Sequence, residues 1–233
     1  MLIKGLQKLT LLDFPERMAC TVFTFGCNLR CPFCHNASLV LSDRSDDSLI
    51  SEEEFFSFLQ KRRGILEGVC ITGGEPTLQP DLPDVVRRIR EMGYAVKLDT
   101  NGARPAALKA LVSNGLLDYV AMDIKNSLAK YPEAVGVSGF DTSAVEESMD
   151  FLMEGYVPFE FRTTLVKGLH TAESVAEMGK RLAGAEKFFL QTFEDSGDLI
   201  AEGGEGLSSF TPAETEELLR ILRHYVPNAQ IRG

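Results

Sequence analysis

Short apolar runs alternate with amphipathic runs along the whole chain. Six runs rich in β-branched and aromatic residues predict β-strands; they lie at 18–25, 68–72, 94–100, 118–124, 159–165 and 187–193. Each is followed by a run with helical period, and these runs lie at 51–63, 80–93, 105–115, 141–155, 171–184 and 211–225. Such regular alternation predicts parallel strands with helices packed outside them.

Two predicted helices carry end signals. Ser51 followed three residues later by Glu54 predicts a capping box at a helix start, and Gly93 is a plausible first residue beyond a helix end. Polar stretches at 42–48 and 194–209 predict surface loops, which are long enough to include lids.

Six strand–helix units fit either an open doubly wound sheet or an incomplete barrel. No G-x-G-x-x-G follows the first strand, which disfavours the dinucleotide-binding version of the doubly wound fold. The chain of 233 residues is within reach of a single α/β barrel, and it contains neither a repeat nor a linker. We therefore expect one α/β domain spanning residues 1–233.

Composition narrows the class of protein. Hydrophobic residues make up 44% and charged residues 25% of the chain, an ordinary soluble composition, and a net charge of −10 argues mildly against a nucleic-acid partner. The chain has neither an apolar run of about 18 residues nor an apolar signal region at its start, so we expect no membrane span, no signal peptide and a cytoplasmic location. Its five cysteines then suggest metal ligands or buried thiols rather than disulfides.

Polar clusters follow the ends of the predicted strands. In chain order they are the cysteine loop 27–36, TGGEP at 72–76, DTNG at 99–102, MDIK at 122–125, and the single residues Arg162 and Gln191. In a parallel α/β barrel these ends lie on one face, where active sites are built. This convergence predicts an enzyme.

Three cysteines, Cys27, Cys31 and Cys34, have the spacing C-x3-C-x2-C. A structural zinc site needs four protein ligands, and His35 is poorly placed to be the fourth. Three buried thiols without a metal, or zinc with an outside ligand, are possible interpretations. A [4Fe–4S] cluster with one open iron explains the spacing better, because a substrate or cofactor can bind the free iron. The other cysteines, Cys20 and Cys70, lie within strand patterns and should be small buried hydrophobes.

The cysteine spacing, with Phe33 before the third cysteine and GGEP after the next strand, resembles the radical S-adenosylmethionine (SAM) enzymes. DTNG and MDIK resemble the branch that activates glycyl-radical enzymes. FTFGCNLRCPFCHN, together with GLQKLTLLDFP near the start, is most similar to activating proteins of anaerobic ribonucleoside-triphosphate reductase. The resemblance implies an incomplete (β/α)6 barrel and a single cluster whose open iron is chelated by SAM.

The resemblance also implies a reaction. One electron from the reduced cluster would cleave a C–S bond of SAM and form a 5′-deoxyadenosyl radical. That radical would take a hydrogen atom from a glycine Cα of a partner, an anaerobic ribonucleotide reductase. Plant-type ferredoxin clusters lie near about −400 mV, so a low-potential donor such as flavodoxin or ferredoxin is implied.

Individual residues receive roles from the same resemblance. Gly73, Gly74 and Glu75 would bind the methionyl amino group, Lys125 would bind the SAM carboxylate, and Phe33 would pack near the adenine. Each has an ordinary structural alternative: a strand-to-helix turn, a solvated lysine and a core aromatic.

Other positions match a monovalent-cation site near SAM in the pyruvate formate-lyase activase. They are Asp99, Thr100, Met122 and Asp123, although a turn or helix-cap role would also suit Asp99. Arg162 and Gln191 are further pocket residues, and His35 has no assigned role.

Two other functions stay open. The chain could be a radical SAM enzyme acting on a small molecule, such as a pterin-like ring or an amino acid, or a non-catalytic metal-binding regulator. A regulator has no need of GGEP, DTNG and MDIK together, so that interpretation is disfavoured.

Overall fold

The sheet of the computed structural model follows the chain order strand by strand. The structure describes residues 1–34, 36–41, 49–194, 199–200 and 206–232. Its strands are β1 (Ile3–Thr10), β2 (Ala19–Thr24), β3 (Gly68–Gly73), β4 (Ala95–Thr100), β5 (Tyr119–Asp123), β6 (Phe159–Leu165), β7 (Phe188–Thr192) and β8 (Gln230–Arg232). Strand β1 runs antiparallel to β2, and every later neighbouring pair is parallel.

This strand order decides between the two predicted architectures. A doubly wound sheet reverses its strand order at a switch point, whereas here β2 to β8 follow one another in one direction. Within the described residues, β1 and β8 are the two edges, so the sheet is open. The α/β incomplete barrel is confirmed.

Helices separate the parallel strands. They are α1 (Ala37–Leu41), α2 (Glu52–Lys61), α3 (Leu82–Glu91), α4 (Pro105–Ser113), α5 (Tyr131–Val135), α6 (Ser143–Met153), α7 (Ala172–Arg181) and α8 (Pro212–Arg223). Both predicted end signals are confirmed: Ser51 and Glu54 form the capping box of α2, and Gly93 follows α3 with a φ of 93°.

The six predicted strands are β2 to β7, but the pattern missed β1 and β8. Strand β1 is an edge strand with exposed Gln7 and Lys8, so its apolar signal is interrupted. Strand β8 has three residues, and helices α1 and α5 have five each. Elements this short carry too few positions for a periodic pattern.

Burial of the central strands accounts for the continuous apolar runs. Residues 69–71 of β3 are fully buried, as expected for a parallel strand covered on both faces. Cys20 and Cys70 are fully buried free thiols, as predicted. Burial raises the pKa of Cys20 to about 12, so this thiol stays protonated.

Some predictions fall outside the described residues. The loop 42–48, much of the loop 194–209 and His35 lie there. Among the described helices, none has both the length and the apolar character needed to cross a bilayer.

Candidate functional site

A cavity of about 300 Å³ opens where β2 to β7 end. The predicted site residues that line it are Cys27, Cys31, Phe33, Cys34, Gly73, Gly74, Glu75, Asp99, Thr100, Asp123, Lys125, Arg162 and Gln191. The predicted convergence of the strand ends is therefore confirmed. The binding roles of these residues stay predictions.

The cysteine loop forms one wall of this cavity. Cys31 is buried, Cys27 and Cys34 are half-buried, and all three are free thiols. A backbone hydrogen bond of 3.0 Å from the amide of Cys34 to the carbonyl of Cys31 shapes the loop, and the amide of Arg30 bonds to the carbonyl of Val135 in α5. The loop is thus shaped from within and anchored to α5.

Burial keeps the thiols of Cys27 and Cys31 protonated. It raises the pKa of Cys31 to about 12 and also raises the pKa of Cys27. A metal must therefore displace their protons when it binds, because only thiolates ligate. Within the described chain, no three His, Cys, Asp or Glu side chains converge as ligands of a single ion. A four-iron cluster has one thiolate for each ligated iron and does not need such convergence.

The GGEP segment lies directly against the start of the cysteine loop. The amide of Gly74 donates to the carbonyl of Thr24 at 2.9 Å, and the amide of Glu75 donates to the carbonyl of Gly26 at 2.8 Å. Gly73 has a φ of 119°, a conformation that favours glycine. A side chain on Gly74 would collide with the backbone of Gly26. Both glycines are therefore required by contact with the protein itself, whatever they also do for a ligand.

Glu75 is fully enclosed, and its carboxylate ties the segment after β3 to the end of β4. Its Oε1 accepts from the amide and hydroxyl of Thr77 at 3.1 and 2.5 Å and from the hydroxyl of Thr100 at 2.8 Å. Its Oε2 accepts from the amide of Asn101 at 2.7 Å. Burial raises the pKa of Glu75 above its usual range, even though these hydrogen bonds favour the charged form. The predicted contact with the SAM amino group would have to share this carboxylate.

Five charged side chains of alternating sign form a line beside Glu75. Their order is Lys97, Asp99, Arg162, Asp123 and Lys125. The guanidinium of Arg162 lies 2.9 Å from a carboxylate oxygen of Asp99 and 2.9 Å from one of Asp123. Lys97 pairs with Asp99, and Lys125 lies 3.1 Å from Asp123. This line joins the ends of β4, β5 and β6.

The line keeps Asp99, Asp123 and Lys125 ionised at neutral pH. Burial would raise the pKa of Asp123, but Arg162 and Lys125 outweigh it and hold that pKa well below its usual range. Burial acts in the same direction at Asp99, where Arg162 and Lys97 again prevail and lower the pKa. Burial would lower the pKa of Lys125, but Asp123 raises it above its usual range. Lys125 is therefore a cation throughout the physiological pH range.

The remaining predicted positions, Phe33, Met122 and Gln191, differ in whether they line the cavity. Phe33 lines the cavity and packs into the core, so both of its predicted roles fit. The side chain of Met122 is fully buried against Gly102 and is not among the residues that line the cavity. Gln191 lines the cavity from β7.

Sequence reasoning missed three residues of this region. Asn101 binds Glu75 through its amide and lies with its side chain 2.9 Å from Asn28 in the cysteine loop. Lys97 was detectable, because it is a charged residue inside an apolar strand. His170 is buried and hydrogen-bonds the carbonyl of Lys125 at 2.9 Å, but no local pattern points to it.

His170 holds the segment that carries Lys125. Its Nδ1 accepts from the amide of Val166 at 3.0 Å, so its Nε2 carries the proton and donates to the backbone carbonyl of Lys125. Burial lowers the pKa of His170, which keeps this neutral form in place near pH 7. The backbone of Lys125 is thereby fixed from β6 as well as from β5.

These features match one family. The profile of the radical SAM superfamily matches residues 21–181, more than half of the chain. The chain belongs to the radical SAM superfamily. Members of this superfamily use a [4Fe–4S] cluster and SAM.

Two relatives indicate where the chain falls within the superfamily. A Methanocaldococcus jannaschii protein provisionally named a glycyl-radical enzyme activating enzyme is 32% identical, and the match covers 99% of this chain and 95% of that protein. A Thermococcus kodakarensis protein provisionally named a GTP 3′,8-cyclase is 30% identical over 64% of this chain, which spans only 48% of that relative.

Solved structures agree with the fold. A domain of the pyruvate-formate lyase-activating enzyme from Bacteroides vulgatus is 21% identical with a TM-score of 0.58, and the match covers 71% of this chain and 99% of that one. Streptococcus suis SuiB bound to SAM is 16% identical with a TM-score of 0.69, covering 90% of this chain and 48% of SuiB. At these identities the likeness concerns the fold alone.

The residues of the cavity fit both family cofactors. Three free thiols on one wall are the soft donors that an iron–sulfur cluster requires. Lys125 brings a permanent positive charge to the same cavity, which suits a carboxylate. Cluster and SAM would thus be held in one cavity.

Proposed function

We propose that this radical SAM enzyme generates a glycyl radical on a partner protein. The observation that carries this proposal is the end-to-end match, 99% and 95% of the two chains, with the provisionally named activating enzyme. The partner we propose is an anaerobic ribonucleoside-triphosphate reductase, because the segments at 5–15 and 23–36 resemble activating proteins of that reductase. A cytoplasmic location remains a prediction.

A bound cluster and SAM would supply one-electron reductive cleavage of SAM and, through it, hydrogen-atom abstraction from a glycine Cα. The chain's own residues would bind and orient these groups. Cys27, Cys31 and Cys34 would hold three irons, and Lys125 would hold the SAM carboxylate. The electron would come from a low-potential donor such as flavodoxin or ferredoxin.

The open sheet favours a large substrate. In the described part of the chain the sheet does not close between β1 and β8, so a partner's glycine loop could enter the mouth and exclude water itself. Hydrogen abstraction needs reacting atoms within about 3–3.5 Å. The partner loop must therefore leave its own protein and reach the cavity. A peptide copying the loop should be a poorer substrate than the whole partner, because it must bear the ordering entropy alone.

A small-molecule substrate is the second candidate. The similarity to provisionally named GTP 3′,8-cyclases supports it, but this chain spans only 48% of the Thermococcus relative. The provisionally named activating enzyme, by contrast, is matched over 95% of its length. The activating role is therefore the stronger proposal.

The test is electron paramagnetic resonance on a candidate partner. The protein, SAM and a reductant are mixed anaerobically with the partner, and a doublet split by one α-hydrogen is expected. The doublet should disappear when the loop glycine of the partner is replaced by alanine. If no partner gives a radical while a purine nucleotide drives stoichiometric SAM cleavage, the small-molecule function is correct instead.

A separate measurement tests the cluster. Anaerobically purified protein should contain about four irons and four sulfides per chain. The variants Cys27→Ala, Cys31→Ala and Cys34→Ala should lose them. Cys20→Ala is the matched control, because Cys20 is fully buried in β2 and does not line the cavity. Stoichiometric zinc without sulfide would contradict the cluster assignment.

A further inference from the structure

All four carboxylate oxygens of Asp99 and Asp123 are bound by protein cations. Oδ1 of Asp99 accepts from Lys97, and its Oδ2 accepts from Nη1 of Arg162 at 2.9 Å. Oδ1 of Asp123 accepts from Nε of Arg162 at 2.9 Å, and its Oδ2 accepts from Lys125 at 3.1 Å. Arg162 bridges the two carboxylates.

This arrangement conflicts with the monovalent cation that the resemblance implied for Asp99 and Asp123. A metal ion between two carboxylates would need oxygens facing it, and here the guanidinium lies between them. Three cations already accompany two carboxylates, so the line has a formal charge of +1. An added alkali ion would enter a buried region that is already positive, where like charges repel more strongly than in water.

Strand register explains why an arginine can take the place of a metal ion between Asp99 and Asp123. Asp123 and Arg162 are direct neighbours across β5 and β6, and Asp99 lies one strand further on in β4. Neighbouring strands are about 4.8 Å apart, so β4 lies about 10 Å from β6, a distance that the long arginine side chain and the aspartate side chain cover together. Its planar fork offers separate N–H groups to the two carboxylates, which a lysine ammonium does not do in fixed directions. Arg162 is only 13% exposed, so the bridge is enclosed.

We propose that Arg162 is the built-in cation of this site and that the protein binds SAM without a monovalent metal ion. Arg162 is a positioning residue, because it acts by fixing Asp123 and, through it, Lys125. The proposal rests on SAM binding and is independent of which substrate receives the radical. Its failure would leave the partner proposal untouched.

The first test compares salts on the cluster-loaded wild-type protein. Calorimetry measures the SAM dissociation constant in potassium chloride and in tetramethylammonium chloride at one ionic strength, with an alkali-free buffer. Matching the ionic strength keeps general screening constant, so we expect the two constants to agree within about twofold. A loss of affinity of about tenfold in tetramethylammonium would overturn the proposal.

The second test asks whether removing Arg162 makes SAM binding depend on potassium. Arg162→Met leaves two buried carboxylates short of a partner, so SAM affinity in tetramethylammonium should fall about tenfold or more and recover in potassium. The SAM affinity of Arg162→Lys in tetramethylammonium should fall less. Arg87→Met, which removes an exposed ion pair with Asp84, is the control and should behave like the wild type. If Arg162→Met bound SAM in tetramethylammonium as tightly as the wild type does, the proposed role of Arg162 would be refuted.

A third readout needs neither cluster nor SAM. The melting temperature of the metal-free protein should be the same in both salts for the wild type, and higher in potassium than in tetramethylammonium for Arg162→Met. Should Arg162→Met fail to fold, Arg162→Lys and the wild-type comparison still decide the question. A wild-type melting temperature that rises specifically with potassium would show that an alkali ion binds despite Arg162.

Discussion

Replacing Gly74 by alanine tests how the cofactor wall is built. Gly74 has an ordinary φ, so the substitution adds steric conflict without left-handed strain. The new Cβ would fall on the carbonyl group of Gly26, 2.5 Å from its carbon, and 3.2 Å from the amide nitrogen of Cys27. These atoms are backbone and cannot rotate away as a flexible side chain can.

The cost follows from that geometry. The carbonyl oxygen of Gly26 is the atom nearest to the new Cβ, and reaching an ordinary contact of 3.4 Å with it requires the two backbone segments to separate by about 1.4 Å. Overpacking of this kind typically costs about 1–3 kcal/mol, and weakening one of the two hydrogen bonds between the segments adds about 1 kcal/mol. We expect Gly74→Ala to lower the free energy of unfolding by about 2–4 kcal/mol. It should also displace Cys27 and reduce cluster incorporation.

Two measurements on each protein check this prediction. Urea denaturation of the metal-free, reduced protein gives the free energy of unfolding, and iron and sulfide analysis after anaerobic reconstitution gives the cluster content. Gly5→Ala is the matched control, because its Cβ would meet the Phe23 side chain at an ordinary 3.4 Å. If Gly74→Ala were as stable as Gly5→Ala, the steric argument would be wrong. Lower stability with full cluster content would break the inferred link to Cys27.

Three further predictions concern the residues around the same cavity. Lys125→Met should weaken SAM binding about tenfold or more, because losing a charged hydrogen bond costs about 1.5–3 kcal/mol. Calorimetry measures the SAM affinity, with Arg87→Met as the control, and an unchanged affinity would exclude Lys125 as the ligand of the SAM carboxylate. Glu75→Ala should lower the free energy of unfolding by at least about 1–3 kcal/mol, because it leaves buried donors without an acceptor; a denaturation midpoint equal to that of the wild type would contradict the network. The folded-state pKa of His170 lies below the usual value of about 6.5, so the unfolded chain takes up this proton first and stability falls as pH drops below that value. In urea titrations from pH 7.5 to 5.5, about the interval around that usual pKa, His170→Gln should show a shallower fall than the wild type, and an equal slope would argue against this role.

The sequence determined strands β2 to β7, the longer helices and the class of the protein. Parallel strands covered on both faces must be apolar over their whole length, so β2 to β7 stand out as continuous runs. Cap residues act within one helical turn, which is why Ser51 and Glu54 could be recognised locally. The three thiols lie within eight positions, so their spacing was visible without any tertiary information.

The partners of the charged side chains were decided by the tertiary structure alone. Arg162 lies 63 residues from Asp99 and 39 from Asp123, and its position between them depends on the register of β4, β5 and β6. The resemblance in sequence predicted that Asp99 and Asp123 bind a monovalent cation, whereas in the folded protein Arg162 pairs with both. The glycines of GGEP are similar, since their necessity comes from the neighbouring end of β2. Local patterns report which side chains arrive at the barrel mouth, but which oppositely charged groups meet there is set by strand order and register, which no short segment contains.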